Sequence, residues 1–427
     1  MSKQVTILVT SFKGKQLVGL PHSRSSFDES TCIDHWKDRF DKFNLYCYRP
    51  INRIAPNEKY VVYVKVYRDF LSSRCNKMFT FYKDNELGMP VYPMPKRVWE
   101  DSRKGQVHWL IDYATECEQL NKQVNINTTQ LLQSFNTTAA NVTLITGAAS
   151  SGPAGNLLLD DLSAAENYNV VTGYQLFDFV NLDGQLKYVQ EKISLIMSKT
   201  VMPYKSLCYN RLPRQHRTVI VAHIMNKNYE DQTLFSLGTF ANNPQKSRWF
   251  DWRSYFPEYE KQFKILETAG DIYPSIEESN ADLQVNLAAT TGWIHGVNSS
   301  FQFVTETNSP MAPYPFLTEK TLKACAMLQP FIQCGPMNNM KFLKEFGYNT
   351  FDTYINHSYD SEPDDVKRLR MVLVEFDRLQ AISTEQWADM LYDMMEDLLH
   401  NAYLVKNPPA KCTESQLVPI LMKHCNG

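Results

Sequence analysis

The chain has 427 residues, 43% hydrophobic, 21% charged and 12% aromatic, a composition that suits a globular protein long enough for two cores. No stretch reaches the uninterrupted apolar length of a membrane helix, and the opening MSKQVTILVTSFKGKQ lacks the apolar run and cleavage site of a signal peptide. The formal net charge is only −2, yet residues 1–110 carry 19 Lys and Arg against 11 Asp and Glu, while the rest of the chain carries 25 against 35.

VTILV (5–9) and YVVYVKVY (60–67), rich in β-branched and aromatic residues, read as strands. A Pro-rich loop, MPVYPMPKR (89–97), leads to a helix over 98–104 that stops at Gly105. QVHWLIDY (106–113) reads as a buried strand running out at Asp112, TTQLLQSF (128–135) as a short helix and NVTLITG (141–147) as a further strand. The following GAASSGPAG (147–155) matches neither the dinucleotide fingerprint nor the phosphate-binding P-loop, so it reads as a loop. QLKYVQEKISLIMSKT (185–200) has helical periodicity and ends before Pro203.

A second series then begins with strand KSLCYN (205–210), basic turn RLPRQHR (211–217) and helix RTVIVAHIMNKN (217–228). Strand SFQFVTET (300–307) comes next, followed by a helix capped by Thr318 that ends at Gln329-Pro330. Strand PFIQCG and helix MNNMKFLKEFG follow, the latter closed by Gly347. PDDVKRLRMVLVEFDRLQ and STEQWADMLYDMMEDLLHNAYLV read as two long amphipathic helices. This alternation predicts an α/β protein with largely parallel sheets. The boundary falls near residue 200, giving an N-terminal α/β domain (1–200), a second α/β domain (201–360) and a C-terminal helical segment (361–427).

The nine cysteines form no C-x-x-C and no Cys/His metal spacing. Their odd number, without a leader sequence, predicts free thiols and a cytoplasmic location. No D-x-D element is present to chelate a diphosphate through a metal, and Asp160-Asp161 and Asp364-Asp365 fall at helix starts, where carboxylates suit the helix dipole.

Three segments concentrate chemistry. In CYNRLPRQHR (208–217) a strand runs into a turn holding Arg211, Arg214, His216 and Arg217 just before a helix. Unpaired helix N–H groups and arginine forks there suit a phosphate or diphosphate; pairing with the acidic surface of the same domain is the alternative. In FLTEKT (316–321) a lysine occupies a first helical turn, which the dipole disfavours unless an anion lies nearby. Glu319 could be that anion, or a bound diphosphate could be. In SRWFDWRSYFPEYE (247–260), Trp249, Trp252 and Arg253 could stack on bases or sugars, or form a satellite core.

VTETNS (304–309) followed by FLTEKT resembles the donor-binding core of alpha-1,3-fucosyltransferases. The longer string FLTEKT…QPFI..G…MKFLKEFGYNTFD…..SYD, with the turn Asn210–Arg217, resembles glycosyltransferase-like proteins of tailed (T-even-like) phages. The resemblance covers residues 205–375 and more weakly 94–113. It implies a GT-B-like fold, with two Rossmann-like domains, a cleft between them and C-terminal helices returning across it. It also implies a glycosyltransferase using a nucleotide-diphosphate sugar, UDP-sugar before GDP-sugar, with no metal and no tightly bound cofactor.

Carried over residue by residue, Lys320, Arg211, Arg214, His216 and Arg217 hold the diphosphate in a site begun by Thr318. Glu319 contacts a sugar hydroxyl, and Glu306, Thr307 and Asn308 line the ribose or sugar. Thr307 intervenes where the fucosyltransferase element reads Glu-Asn-Ser, which leaves the sugar and the base open. Glycosyl transfer also needs a carboxylate near the acceptor, for which Asp112 and Glu116 at the exit of a predicted strand are the candidates; a helix cap is the alternative. Phage chemistry and the basic N-terminal portion together suggest 5-hydroxymethylcytosine in double-stranded DNA as acceptor, in the host cytoplasm, with a pentose such as arabinose as the sugar. The alternatives are an enzyme acting on a glycan or lipopolysaccharide, and a non-catalytic nucleic-acid-binding module.

Overall fold

A computed structural model describes residues 5–8, 46–49, 54–65, 96–112, 137–146, 169–172, 185–210, 213–238, 252–272, 292–306, 315, 317–407 and 413–426. The chain forms two compact units, Met1–Gln175 with Ala410–Gly427, and Leu176–Pro409. Each is built on a parallel sheet with helices, the two-unit α/β organisation expected of a GT-B-like chain. No helix among the described residues is long and apolar enough to cross a membrane.

The first unit carries a six-stranded sheet in the order β2-β1-β3-β4-β5-β6, with β1 Val5–Leu8, β2 Tyr46–Arg49, β3 Tyr60–Lys65, β4 Val107–Asp112, β5 Val142–Thr146 and β6 Asn169–Thr172. All its pairings are parallel. Parallel strands covered on both faces need apolar side chains on both, and Val61, Val62, Val107, Leu110, Leu144 and Ile145 are buried. Helix α1, Lys96–Arg103, ends where Gly105 takes φ +72°, and Ser102 at its end accepts a hydrogen bond from the Trp109 indole at 2.9 Å.

The second unit carries a four-stranded parallel sheet in the order β10-β9-β7-β8, with β7 Tyr204–Cys208, β8 Thr233–Phe235, β9 Ser299–Thr305 and β10 Phe331–Cys334. All seven residues of β9 are buried, as a central strand requires. Its helices are α2 Leu186–Met197, α3 Gln215–Asn226, α4 Glu260–Thr268, α5 Trp293–Val297, α6 Glu319–Ala326, α7 Asn339–Glu345, α8 Asp365–Ala381, α9 Thr384–Asp393 and α10 Met395–Lys406. Residues 216–224 of α3 are buried throughout, which marks it as a core helix. Phe376 of α8 packs on Phe303, with ring centroids 5.0 Å apart, and Trp387 of α9 stacks on Phe301 at 4.9 Å.

The units divide at Gln175, whereas the sequence suggests a boundary near residue 200, and one buried side chain ties α2 to the second sheet. Lys192 of α2 is fully buried and donates to the carbonyls of Gly296, Val297 and Ser299 at 3.0, 3.2 and 2.6 Å. Those bonds tie α2 to α5 and β9, so it belongs with the second sheet. The C-terminal helices also separate. α8–α10 belong to the second unit, whereas α11, Thr413–Asn426, belongs to the first, where His424 lies 5.0 Å from the His108 ring. The expected long helix over 383–405 is interrupted at buried Met394, which ends α9 and precedes α10. The helix expected over 128–135 and the loop over 147–155 lie outside the described residues.

Candidate functional site

In the second sheet, β7 and β9 are neighbours whose chains depart in opposite directions, through α3 to β8 on one side and through α6 to β10 on the other. The carboxyl ends of β7 and β9 therefore form a topological switch point, the place where open α/β sheets leave a crevice for a ligand. Both α3 and α6 begin there, so two positive dipole ends converge.

Local bonds fix the strand ends. Just past β7, the Asn210 amide N–H donates to Ser236 Oγ at 2.9 Å, and Asn210 Oδ1 accepts from Thr305 Oγ1 of β9 at 2.7 Å. The neighbouring Tyr209 hydroxyl is hydrogen bonded to His295 Nδ1 of α5. Its ring lies so close to Gly292, itself at φ +75°, that a Cβ there would sit 2.4 Å from Tyr209 Cε2.

Arg214 is the N-cap residue of α3 and is half-buried. His216 and Arg217, in the first turn, are buried and reach across to the exit of β9. His216 Nε2 donates to the Glu306 carbonyl at 3.1 Å, and Arg217 Nη2 donates to the carbonyls of Thr305 and Glu306 at 3.1 and 3.4 Å. Burial, reinforced by the charges of Arg217, Arg214 and Lys320, pushes the His216 imidazole well below its ordinary pKa, so it is neutral. Burial and Arg214 draw Arg217 down to about 10, which leaves the guanidinium charged at neutral pH.

Glu306, the residue after β9, is 0% exposed. Its Oε1 accepts from the Thr318 amide at 3.0 Å, Thr321 Oγ1 at 2.5 Å and Gln333 Nε2 of β10 at 3.1 Å, while Oε2 accepts from the Thr318 hydroxyl. Thr318 in turn caps α6, its Oγ1 accepting from the Lys320 amide at 3.3 Å. Lys320 Nζ donates to Glu319 Oε1 at 2.8 Å and to Thr318 Oγ1 at 3.2 Å. Burial alone would raise the Glu319 pKa, but the charge and hydrogen bond of Lys320 hold it below the usual glutamate value. Glu319 and Lys320 side chains are 24% and 25% exposed, accessible where their neighbours are not.

Seven of the residues singled out in the sequence thus meet at one place: Arg214, His216, Arg217, Glu306, Thr318, Glu319 and Lys320. Two layers separate within the group. Arg214, Glu319 and Lys320 are partly exposed, whereas the described contacts of His216, Arg217 and Glu306 all run to protein groups that hold the crevice together. Gln333 and Thr321 were missed. Their signal was a lone polar residue in the apolar strand FIQC and a threonine one position past the lysine, each demanding a buried partner.

The remaining residues lie elsewhere. Asp112 is the last residue of β4, in register with Lys65 and Ile145. Trp252 is 7% exposed, and Arg253 pairs with Glu260 and Glu267 at 3.1 and 2.9 Å and lies over the Phe263 ring. With Phe256, Tyr259 and Phe263 buried beside them, these residues form a satellite core. Glu116, Arg211, Trp249, Thr307 and Asn308 lie outside the described residues. Among the described residues, no group of three or more His, Cys, Asp or Glu side chains could hold a metal ion.

No protein-family profile matches the chain, and no curated protein matches it. Among solved structures, it is similar to an alpha,alpha-trehalose 6-phosphate synthase from Burkholderia multivorans at TM-score 0.40 and 8% identity, over 94% of this chain and 78% of that one. It is also similar to a UDP-forming alpha,alpha-trehalose-phosphate synthase from Burkholderia vietnamiensis at TM-score 0.39 and 10% identity, over 94% and 81%. A similar enzyme from Burkholderia xenovorans gives TM-score 0.39 and 8% identity, over 94% and 80%. At this level of similarity no residue role passes from those enzymes to this chain.

Proposed function

We propose that the switch point of the second unit holds the diphosphate of a nucleotide sugar, a UDP-sugar first among them, and that the protein is a glycosyltransferase. The observation that carries this reading is the convergence of Lys320, Arg214 and the N-termini of α3 and α6 on the carboxyl ends of β7 and β9. Departure of a nucleotide diphosphate leaves negative charge on the phosphate oxygens. Lys320 and Arg214, with the helix N–H groups, would stabilise that charge as it develops. Glu319, beside the lysine, would accept a hydrogen bond from a sugar hydroxyl. Asp112, at the carboxyl end of β4, and Glu116 are the first-unit carboxylates proposed to take the acceptor proton.

The proposed acceptor is the hydroxymethyl group of 5-hydroxymethylcytosine in double-stranded DNA, supported by the 19 Lys and Arg against 11 Asp and Glu in residues 1–110. A pentose such as arabinose is the sugar to try beside hexoses. The test incubates the protein with hydroxymethylated DNA and a panel of nucleotide sugars, then weighs the released nucleosides. A modified cytosine heavier by one sugar residue is expected. Transfer to a glycan but not to DNA would reassign the acceptor; no transfer to either, with no nucleotide bound, would refute the glycosyltransferase reading.

A further inference from the structure

The Glu306 side chain accepts four hydrogen bonds and is 0% exposed, with no surface left for a ligand. A carboxylate can only accept, which fixes the protons around it. Thr318 has one hydroxyl proton, and Glu306 Oε2 takes it, so the lone pairs of Thr318 Oγ1 must face its other neighbours. Those neighbours are the Lys320 amide and the Lys320 ammonium, at 3.3 and 3.2 Å. Thr321 is ordered in the same way: its hydroxyl donates to Glu306 Oε1 and accepts from Gln333 Nε2 at 2.6 Å.

The main chain of Glu306 is held as firmly. Its amide donates to the Cys334 carbonyl of β10 at 2.9 Å, and its carbonyl receives His216 and Arg217 from α3. Gly335 makes room for it, since a Cβ there would lie 3.3 Å from Glu306 Cγ and 2.7 Å from Asn339 Nδ2. One residue therefore joins the starts of α3 and α6 to the ends of β9 and β10.

We infer that Glu306 is a positioning residue of the donor site: its carboxylate orients Thr318 so that Lys320 is aimed for an anion, and it does not touch the donor. This rests on the diphosphate reading above. Glutamine in its place sets an NH2 group either against the Thr318 amide and Gln333 or against Thr318 Oγ1. In the second case the threonine proton turns toward the Lys320 ammonium.

Inorganic pyrophosphate is the discriminating probe, because it has no hydroxyl or ribose for Glu306 to contact. Calorimetric titration of Glu306→Gln should show pyrophosphate bound roughly ten-fold more weakly, since hydrogen bonds to a buried charge are lost. Thr321→Val, which removes one donor and leaves the charge, should weaken it roughly three-fold, and this milder variant decides the matter if Glu306→Gln does not fold. Unchanged pyrophosphate affinity in folded variants overturns the inference: loss confined to the UDP-sugar would make Glu306 a contact residue, and a lowered melting temperature alone would make it structural only. If the wild-type protein binds no pyrophosphate, the diphosphate reading falls, and this inference falls with it.

Discussion

Glu319 and Lys320 are adjacent on α6, and adjacent helix residues ordinarily point about 100° apart. Their 2.8 Å ion pair forms because both side chains fold over the start of the helix, where Thr318 Oγ1 also receives the lysine. An incoming diphosphate must therefore take Lys320 from Glu319. The pair is about a quarter exposed, so it is worth about 1 kcal/mol, the upper end for ion pairs that water can reach. Glu319→Gln removes that competition, and pyrophosphate should bind about five-fold tighter to the variant.

The same substitution has a signature in stability. Lys320 holds the Glu319 pKa below its unfolded value, so the carboxylate stabilises the fold above the ordinary glutamate pKa and loses that contribution as pH falls through the lowered one. The wild-type protein should thus lose more stability than Glu319→Gln between about pH 5 and pH 3, read as the urea midpoint at each pH. Pyrophosphate bound equally or more weakly by Glu319→Gln would refute the competition argument.

Other consequences follow from buried groups. His108 of β4 donates to or accepts from Thr143 Oγ1 at 2.8 Å, and burial, with His424 nearby, lowers its pKa to about 3. Below pH 6.5 the unfolded chain binds the proton that folded His108 and His216 refuse, so stability should fall as pH drops from 6.5 toward 3; His108→Gln should flatten that slope in urea titrations. Burial draws Lys192 down to about 7, so between 7 and its ordinary 10.5 the unfolded state holds more protons and stability should rise with pH. Lys192→Met should remove that rise and also cost at least about 3 kcal/mol, because three buried carbonyls lose their donor. Gly292→Ala should cost about 2 kcal/mol in thermal unfolding, since the new methyl meets the Tyr209 ring and the residue must keep φ +75°.

Much of the second unit was legible because its signals are local. Short runs of apolar and aromatic residues marked β9 and β10, and Thr318 announced the helix that follows it. The basic turn and the Thr-Glu-Lys element come together at the ends of β7 and β9 although about a hundred residues separate Arg217 from Lys320. What sequence could not distinguish was which charges face outward. Arg217 and Glu306 are as polar in the sequence as Arg214 and Lys320, and only the packing of α3 against β9 buries the first two. The place of α2 in the second unit was hidden for a related reason. A lone lysine within a helical repeat gives no sign that it will donate to three carbonyls about a hundred residues away. The interruption at Met394 carries neither proline nor glycine and left no local trace.

The central claim is that the crevice between β7 and β9 binds a nucleotide diphosphate. Calorimetric titration of UDP into the wild-type protein and into Lys320→Ala tests it most directly. Saturable one-to-one binding by the wild type is expected, weakened at least about ten-fold in the variant by loss of a charge-assisted contact. A wild-type protein that binds no UDP or other nucleoside diphosphate, or a Lys320→Ala variant that binds it as tightly as the wild type, would contradict the claim.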